Sequence, residues 1–258
     1  MAEEVVPMTM SAEDTSTTAS TTPNGSGNGN GNGNGNGNAG TNANATRALR
    51  ALGHDDPSVR LKAALAVGTA PDPASVRPLV ERCATEPEFY VREMLTWALT
   101  RHAAALTVPL LLDELRSERA QARSQALHTL SKIGDRRAWP AVTPALLADA
   151  DEEVARSAWR AAVVLVPDGA EHGLAVLLAA QLGRGGRETQ LSLSRALISL
   201  GEATAPVLGA ATADPDLRVR AHAIATERLW RDPDAGFEFA VEEAKRIAVL
   251  STDDQEGR

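Results

Sequence analysis

From residue 46 onward, apolar side chains recur at three- and four-residue spacing in runs of about a dozen. Each run is broken by Pro, Gly or Asp. Val59, Ala63, Ala66 and Val67 stand at i, i+4, i+7 and i+8, which places them on one face of a helix. Val76, Leu79, Val80 and Cys83 make a second such stripe, and Val91, Leu95, Ala98 and Leu99 a third. The same alternation predicts a short helix over 46–53, one from Pro57, and then pairs: 74–86 with 91–102, 106–116 with 122–133, 139–147 with 154–166, 171–182 with 189–200, and 203–212 with 217–230. A last helix over 235–250 turns Phe239 or Ala240, and with it Val241, Ala244, Ile247 and Ala248, inward. Its outward face carries Glu238, Glu242, Glu243, Lys245 and Arg246, which suits a capping element. β-branched runs are short, so strands find little room.

The second helix of each pair opens on a shared frame. Asp56-Pro57-Ser58-Val59-Arg60-Leu61-Lys62-Ala63 and Asp214-Pro215-Asp216-Leu217-Arg218-Val219-Arg220-Ala221 match in kind, position by position. Counting from Val59, the frame returns at Val91, Ala122, Val154, Thr189 and Leu217, giving spacings of 32, 31, 32, 35 and 28 residues. A period in this range marks stacked units, none of which can bury its apolar face alone. Pro57 suits a first helical turn, where its missing N–H would be unpaired anyway, and Asp56 is placed to cap it.

Residues 1–45 stand apart. They hold no aromatic residue, no Leu and no Ile, and Gly alternates with Asn from Asn24 to Asn38. Such a composition buries too little apolar surface to offset its ordering entropy, so a disordered N-terminal arm is expected over 1–45, a solenoid over 46–250 and a polar tail over 251–258. The net charge is −8, from 26 basic and 34 acidic residues. An acidic body argues against a protein built mainly to hold nucleic acid. There is no membrane-length apolar run, no basic start followed by an apolar stretch, and a single cysteine, so the expectation is a cytoplasmic protein without an internal disulfide.

The second-helix frame, Asp-x-x-Val-Arg-x-x-Ala-Ala-x-Ala-Leu, resembles that of HEAT repeats, in particular the short variety named after phycobilisome lyases. The resemblance covers about residues 47–230, five clear units and a half unit at the start. It implies an all-α fold, an α-solenoid of stacked helix pairs whose second helices line a concave surface. Tetratricopeptide and ankyrin signatures are absent.

With the repeat Val as position zero and 100° per residue, positions +4, +7 and +8 share the core face with zero, while +2, +6 and +9 point away and +10 borders them. Position +2 reads Leu61, Glu93, Ser124, Arg156, Leu191 and Val219. Position +6 reads Leu65, Trp97, His128, Arg160, Arg195 and Ala223. The candidate partner-binding patch is therefore Glu93, Trp97, Arg101, Ser124, His128, Arg156 and Arg160. Trp beside Arg is the composition enriched in protein-binding hot spots. Arg60, Arg92, Arg123 and Arg218 at +1 are expected to stitch adjacent turns together, with Asp56, Asp151 and Asp214 or their neighbours as partners.

Catalytic patterns are lacking. None of His54, His102, His128, His172 and His222 belongs to a His-x-x-x-His or His-Glu pair, against zinc-protease and deoxyhypusine-hydroxylase chemistry. Cys83 lies on a core stripe and is expected to act as a small buried hydrophobe. The run Gly183-Arg184-Gly185-Gly186-Arg187 lacks a Lys-Ser/Thr ending and a preceding strand, so it is expected to be an inter-helix loop. The expectation is a scaffold that binds a protein and has no catalysis, cofactor or metal. Two alternatives are an enzyme or accessory module of the phycobilisome-lyase type and, more weakly, a nucleic-acid solenoid of the DNA alkylation glycosylase type. For the latter, Trp159 with Arg156 and Arg160 is a faint echo.

Overall fold

The computed structural model describes residues 36–233 together with 241, 242, 244 and 245. Among the described residues there are twelve α-helices and three 3-10 turns, and no strand. The helices are α1 (Asn36–Ala51), α2 (Pro57–Thr69), α3 (Val76–Cys83), α4 (Phe89–Thr100), α5 (Ala104–Glu114), α6 (Ala120–Ile133), α7 (Pro144–Leu147), α8 (Glu152–Leu165), α9 (Glu171–Ala179), α10 (Arg187–Ser199), α11 (Ala205–Ala211) and α12 (Leu217–Arg231). Odd- and even-numbered helices pair, and each even-numbered helix packs on the next through α2, α4, α6, α8, α10 and α12. The result is an α-solenoid with one continuous layer of second helices.

Local chemistry starts the second helices. Asp56, Asp151 and Asp216 cap α2, α8 and α12 by accepting from the first free amides: Ser58 N–H, the N–H groups of Glu153 and Val154, and Arg218 N–H. Position +4 of each second helix then drives into the core. Ala63, Leu95, Ala126, Ala158, Leu193 and Ala223 are all buried. Small residues at four of these six sites let the helix axes approach closely, and Leu and Val fill the space between. Cys83 is buried in the same core, and burial pushes its thiol up to about 12.

Three features depart from the pattern-based reading. The first helix begins at Asn36, ten residues ahead of the expected start, and packs on α2, so the first unit is a full pair and the expected arm boundary at residue 45 falls inside a helix. Residues 36–45 are mostly Asn, Gly and Thr, poor helix formers, and their three Ala make no apolar period that would announce a helix. The apolar end, Ala48, Leu49 and Ala51, packs on the core. The rest of that arm and the tail at 251–258 lie outside the described residues. In the capping segment, Ala244 is buried, Val241 half-buried, and Glu242 and Lys245 exposed, as the pattern required.

Second, the expected helix over 139–147 is a 3-10 turn, Arg136–Ala141, followed by the one-turn α7. Pro140 and Pro144 each remove an amide donor and block a continuous helix. Opposite this thin element stands Trp159, fully buried, with its indole Nε1–H donating to Leu147 O at 2.9 Å. The other second helices carry smaller residues at the same position: Ala64, Thr96, Leu127, Ser194 and Ile224. The large ring fills what the short first helix leaves empty.

Third, the last unit is shifted by two residues. Asp214 does not cap α12; its carboxylate accepts from Asp216 N–H. Arg60, Arg92 and Arg123 each donate from Nη1 to a carbonyl six residues upstream, those of His54, Glu86 and Ser117. In α12 the side chain that does this is Arg220, donating to Asp214 O at 2.7 Å, and not Arg218. The repeat position is therefore Val219, and the final spacing is 30 residues rather than 28. The likeness between 56–63 and 214–221 is a coincidence of residue types, two places out of structural register.

Candidate functional site

The exposed face of the second helices carries Leu65 on α2, Trp97 on α4, Arg160 on α8 and Arg195 on α10, with half-buried His128 on α6 between them. Trp97 is 38% exposed. Its ring lies against Gly68 of α2: a Cβ there would meet Trp97 Cζ3 at 2.3 Å and Ala98 Cα at 2.9 Å. Gly68 thus sets how closely α4 approaches α2 beneath the ring. Gly68→Ala is expected to cost a net ~1 kcal/mol, because overpacking of ~1–3 kcal/mol is offset in part by better helix propensity. Urea titration with Trp emission would measure it, and an unchanged midpoint would show that the contact is slack.

Of the seven candidate residues, the fold places six on or beside this face and one away from it. Ser124 is buried, its hydroxyl donating to Gln121 O at 3.2 Å, because α6 is held between α4 and α8. Glu93 and His128 approach across α4 and α6, with Nε2 3.0 Å from Oε1 but out of line for a straight hydrogen bond. Burial pushes the His128 imidazole below its ordinary range; Glu93 opposes this, and Lys132 and Arg160 add to it. Arg156 and Arg160 both reach Glu153, and Arg156 also lies 3.6 Å from Glu188. Arg101 is exposed at the end of α4. Ala223, expected to face the groove, is buried in the core. That follows from the two-residue shift in the last unit.

Toward the C-terminal end the face deepens into a groove of about 510 Å³ over α6, α8 and α10. It is lined by Lys132, Arg156, Arg160, Arg195 and Glu188 together with the apolar Val163, Val164 and Leu191. Trp159 is not part of it, being fully buried with its indole turned to Leu147 O, so the echo of a glycosylase groove has no aromatic here.

A family model for HEAT repeats matches residues 37–100 and 89–163. The chain is a HEAT-repeat protein. No curated protein matches it. The matched span covers the first four helix pairs of the HEAT array, and the two later pairs continue the same layer of second helices.

Arg60, Arg92 and Arg123 are structural, as expected. Arg60 and Arg123 reach neighbours of the expected Asp residues, the carbonyls of His54 and Asp55 and the carboxylate of Asp149, while Glu86 is a carboxylate partner outside that expectation. Arg60 makes a two-pronged pair with Glu86, Nε to Oε2 at 2.8 Å and Nη2 to Oε1 at 2.7 Å. Arg123 pairs with Asp149 in the same way at 3.0 and 3.1 Å. Glu86 sits in the turn ahead of α4, yet its side chain is fully buried. Besides Arg60 it accepts from Arg82 Nε and Glu88 N–H. Its backbone carbonyl takes Arg92 Nη1 and Gln121 Nε2. Burial alone would raise the Glu86 carboxyl, but the bonds from Arg60, the Glu88 amide and Arg82 outweigh it and hold the group down to about 2. The signal available in sequence was the 26-residue offset shared by Arg60–Glu86 and Arg123–Asp149.

The fourth unit lacks the arginine, having Ala155 in its place. The carbonyl six residues upstream is that of Asp149, and it accepts instead from Arg184 Nη2 of the following loop. That loop is shaped by Gly183 and Gly185 at positive φ, and Gly183 packs against the backbone of Val219 and Arg218. The Gly-rich run is therefore an inter-repeat clasp. Among the described residues, no group of three or more His, Cys, Asp or Glu side chains could hold a metal ion, and no helix is long and apolar enough to cross a membrane.

Proposed function

We propose that this HEAT-repeat protein is a non-catalytic scaffold that binds a protein partner along the face of its second helices. One observation carries the reading: the row Leu65, Trp97, His128, Arg160 and Arg195 lies on the accessible side of five successive helices whose +4 residues are buried. HEAT repeats commonly mediate protein–protein interaction, and such a row offers a partner an apolar end and a basic end on one rigid layer. Spacings of 30–35 residues fit the short, phycobilisome-lyase-like kind of unit.

Trp97 is the apolar anchor in this reading, and Arg101, Arg156 and Arg160 add charge around it. Once a partner is recovered from the native host, Trp97→Ala is expected to weaken its binding by ~2 kcal/mol or more, as loss of a desolvated aromatic anchor does. Arg160→Ala is expected to cost less and to act mainly on association rate at low salt. Calorimetry and stopped-flow mixing at matched folded fraction read both. Unchanged affinity for Trp97→Ala would remove the anchor and the reading with it.

A further inference from the structure

The groove over α6, α8 and α10 differs in chemistry from the rest of the chain. The protein as a whole has a charge of −8, yet this groove brings Lys132, Arg156, Arg160 and Arg195 together against Glu153 and Glu188. Arg156 and Arg160 share the single carboxylate of Glu153, and Lys132 and Arg195 make no ion pair with any described residue. Between these cations Val164 is 44% exposed, with Val163 and Leu191 half-buried beside it. A groove that sets aliphatic side chains between cations is complementary to a short segment in which carboxylates flank aliphatic side chains.

The chain carries such a segment. Residues 3–14 read Glu3-Glu4-Val5-Val6-Pro7-Met8-Thr9-Met10-Ser11-Ala12-Glu13-Asp14, with four carboxylates flanking four aliphatic or thioether side chains and no cation. No other stretch of residues 1–35 holds a charged side chain. Residues 15–35 connect the segment to α1, and these 21 residues can span up to ~70 Å when extended. Three helix steps from α2 to α8, at 8–10 Å each, come to about 30 Å. The tether is long enough.

We propose that the basic groove over α6, α8 and α10 is occupied by the protein's own residues 3–14, which an external partner must displace. This rests on the reading of the second-helix face as a docking face. Tethering sets the local concentration of the segment near the millimolar range, so an intrinsic affinity of only ~0.1 mM suffices for roughly nine-tenths occupancy.

The test uses three full-length proteins and one probe, a fluorescein-labelled synthetic peptide of residues 1–16. The proteins are wild type, a chain with Glu3→Gln, Glu4→Gln, Glu13→Gln and Asp14→Asn, and that neutralised chain with Arg160→Glu and Arg195→Glu added. In fluorescence polarisation at low salt, the neutralised chain is expected to bind the probe, and wild type about tenfold more weakly because its groove is filled. The groove variant is expected to lose at least tenfold, and added salt to weaken the binding that remains. Both arginines are exposed, so the variants are expected to keep the wild-type circular dichroism. Equal probe affinity for wild type and the neutralised chain would overturn the proposal, as would a groove variant that binds as well as its parent. Either outcome leaves the Trp97→Ala test of partner docking standing on its own. Dimers of wild type in sedimentation, absent from the neutralised chain, would place the segment in a neighbouring copy and overturn the tethered form.

Discussion

Glu86→Ala is expected to lower the unfolding free energy by ~3–5 kcal/mol in a urea titration at pH 7, the range measured when one partner is removed from a buried ion pair. The reason lies in what remains. Arg60 is buried on α2, and without Glu86 its Nε and Nη2 face the core with no carboxylate. The Glu88 amide and Arg82 lose an acceptor as well. Glu86→Gln retains the shape and should fall between wild type and Glu86→Ala. Arg60→Met with Glu86→Leu removes both charges and should cost clearly less than Glu86→Ala, because no bare charge stays behind. The pH window follows from the lowered carboxyl. Its folded value of about 2 lies below the ordinary 4.5, so the junction contributes fully above about pH 4.5 and is lost as pH falls toward 2. A loss under 1 kcal/mol for Glu86→Ala would show that the junction is solvated rather than structural.

A second loss of stability is expected at higher pH, from His222. This side chain is buried on α12. Its Nδ1 accepts from Gly183 N–H at 3.0 Å, and its Nε2 lies 3.0 Å from Gln190 O and 3.1 Å from Ser194 Oγ. A carbonyl can only accept, so Nε2 carries the proton and Nδ1 must remain bare. The imidazole is neutral and ties the 183–186 loop, α10 and α12 together. Burial pushes it down to about 4 from 6.5, although the bond to Gln190 O opposes this. Between those values the unfolded chain binds a proton that the folded chain refuses, so stability is complete above about pH 6.5 and falls toward pH 4. The span of about 2.5 units corresponds to roughly 3 kcal/mol at 1.36 kcal/mol per unit. Denaturant midpoints at pH 7, 5.5 and 4 would trace it, and His222→Asn should flatten that part of the curve. A wild-type curve level from pH 7 to 4.5 would show that His222 titrates normally.

Much of the solenoid is legible in the sequence, for a definite reason. Apolar periodicity reports burial, and burial is what orders these helices, so Val91, Leu95, Ala98 and Leu99 fell on the core face as spaced. Residue types failed as a guide where geometry intervened. Ala66 is exposed although it lies on the apolar stripe, since Ala is tolerated on either side of a helix. Ser124 is buried because α6 is enclosed by its neighbours, which a wheel drawn for an isolated helix does not contain. The last unit was misplaced because Asp-Pro is a strong starting signal, while the deciding feature, an arginine reaching a carbonyl six residues back, is visible only in three dimensions. Glu86 was passed over for a similar reason. A carboxylate in a turn reads as solvated until Arg60 is seen to close over it.

The Arg184 clasp bears on whether these units are interchangeable. Most stitches run within a unit or forward from it, but at Ala155 the guanidinium comes backward from the next loop onto Asp149 O. A fragment ending after α8 would leave that carbonyl without its donor, and a unit transplanted ahead of a different neighbour would do the same. A cut after α2 or α6 separates Arg60 from Glu86 or Arg123 from Asp149, and a cut after α8 removes the donor from behind, so there the boundary must fall beyond the clasp.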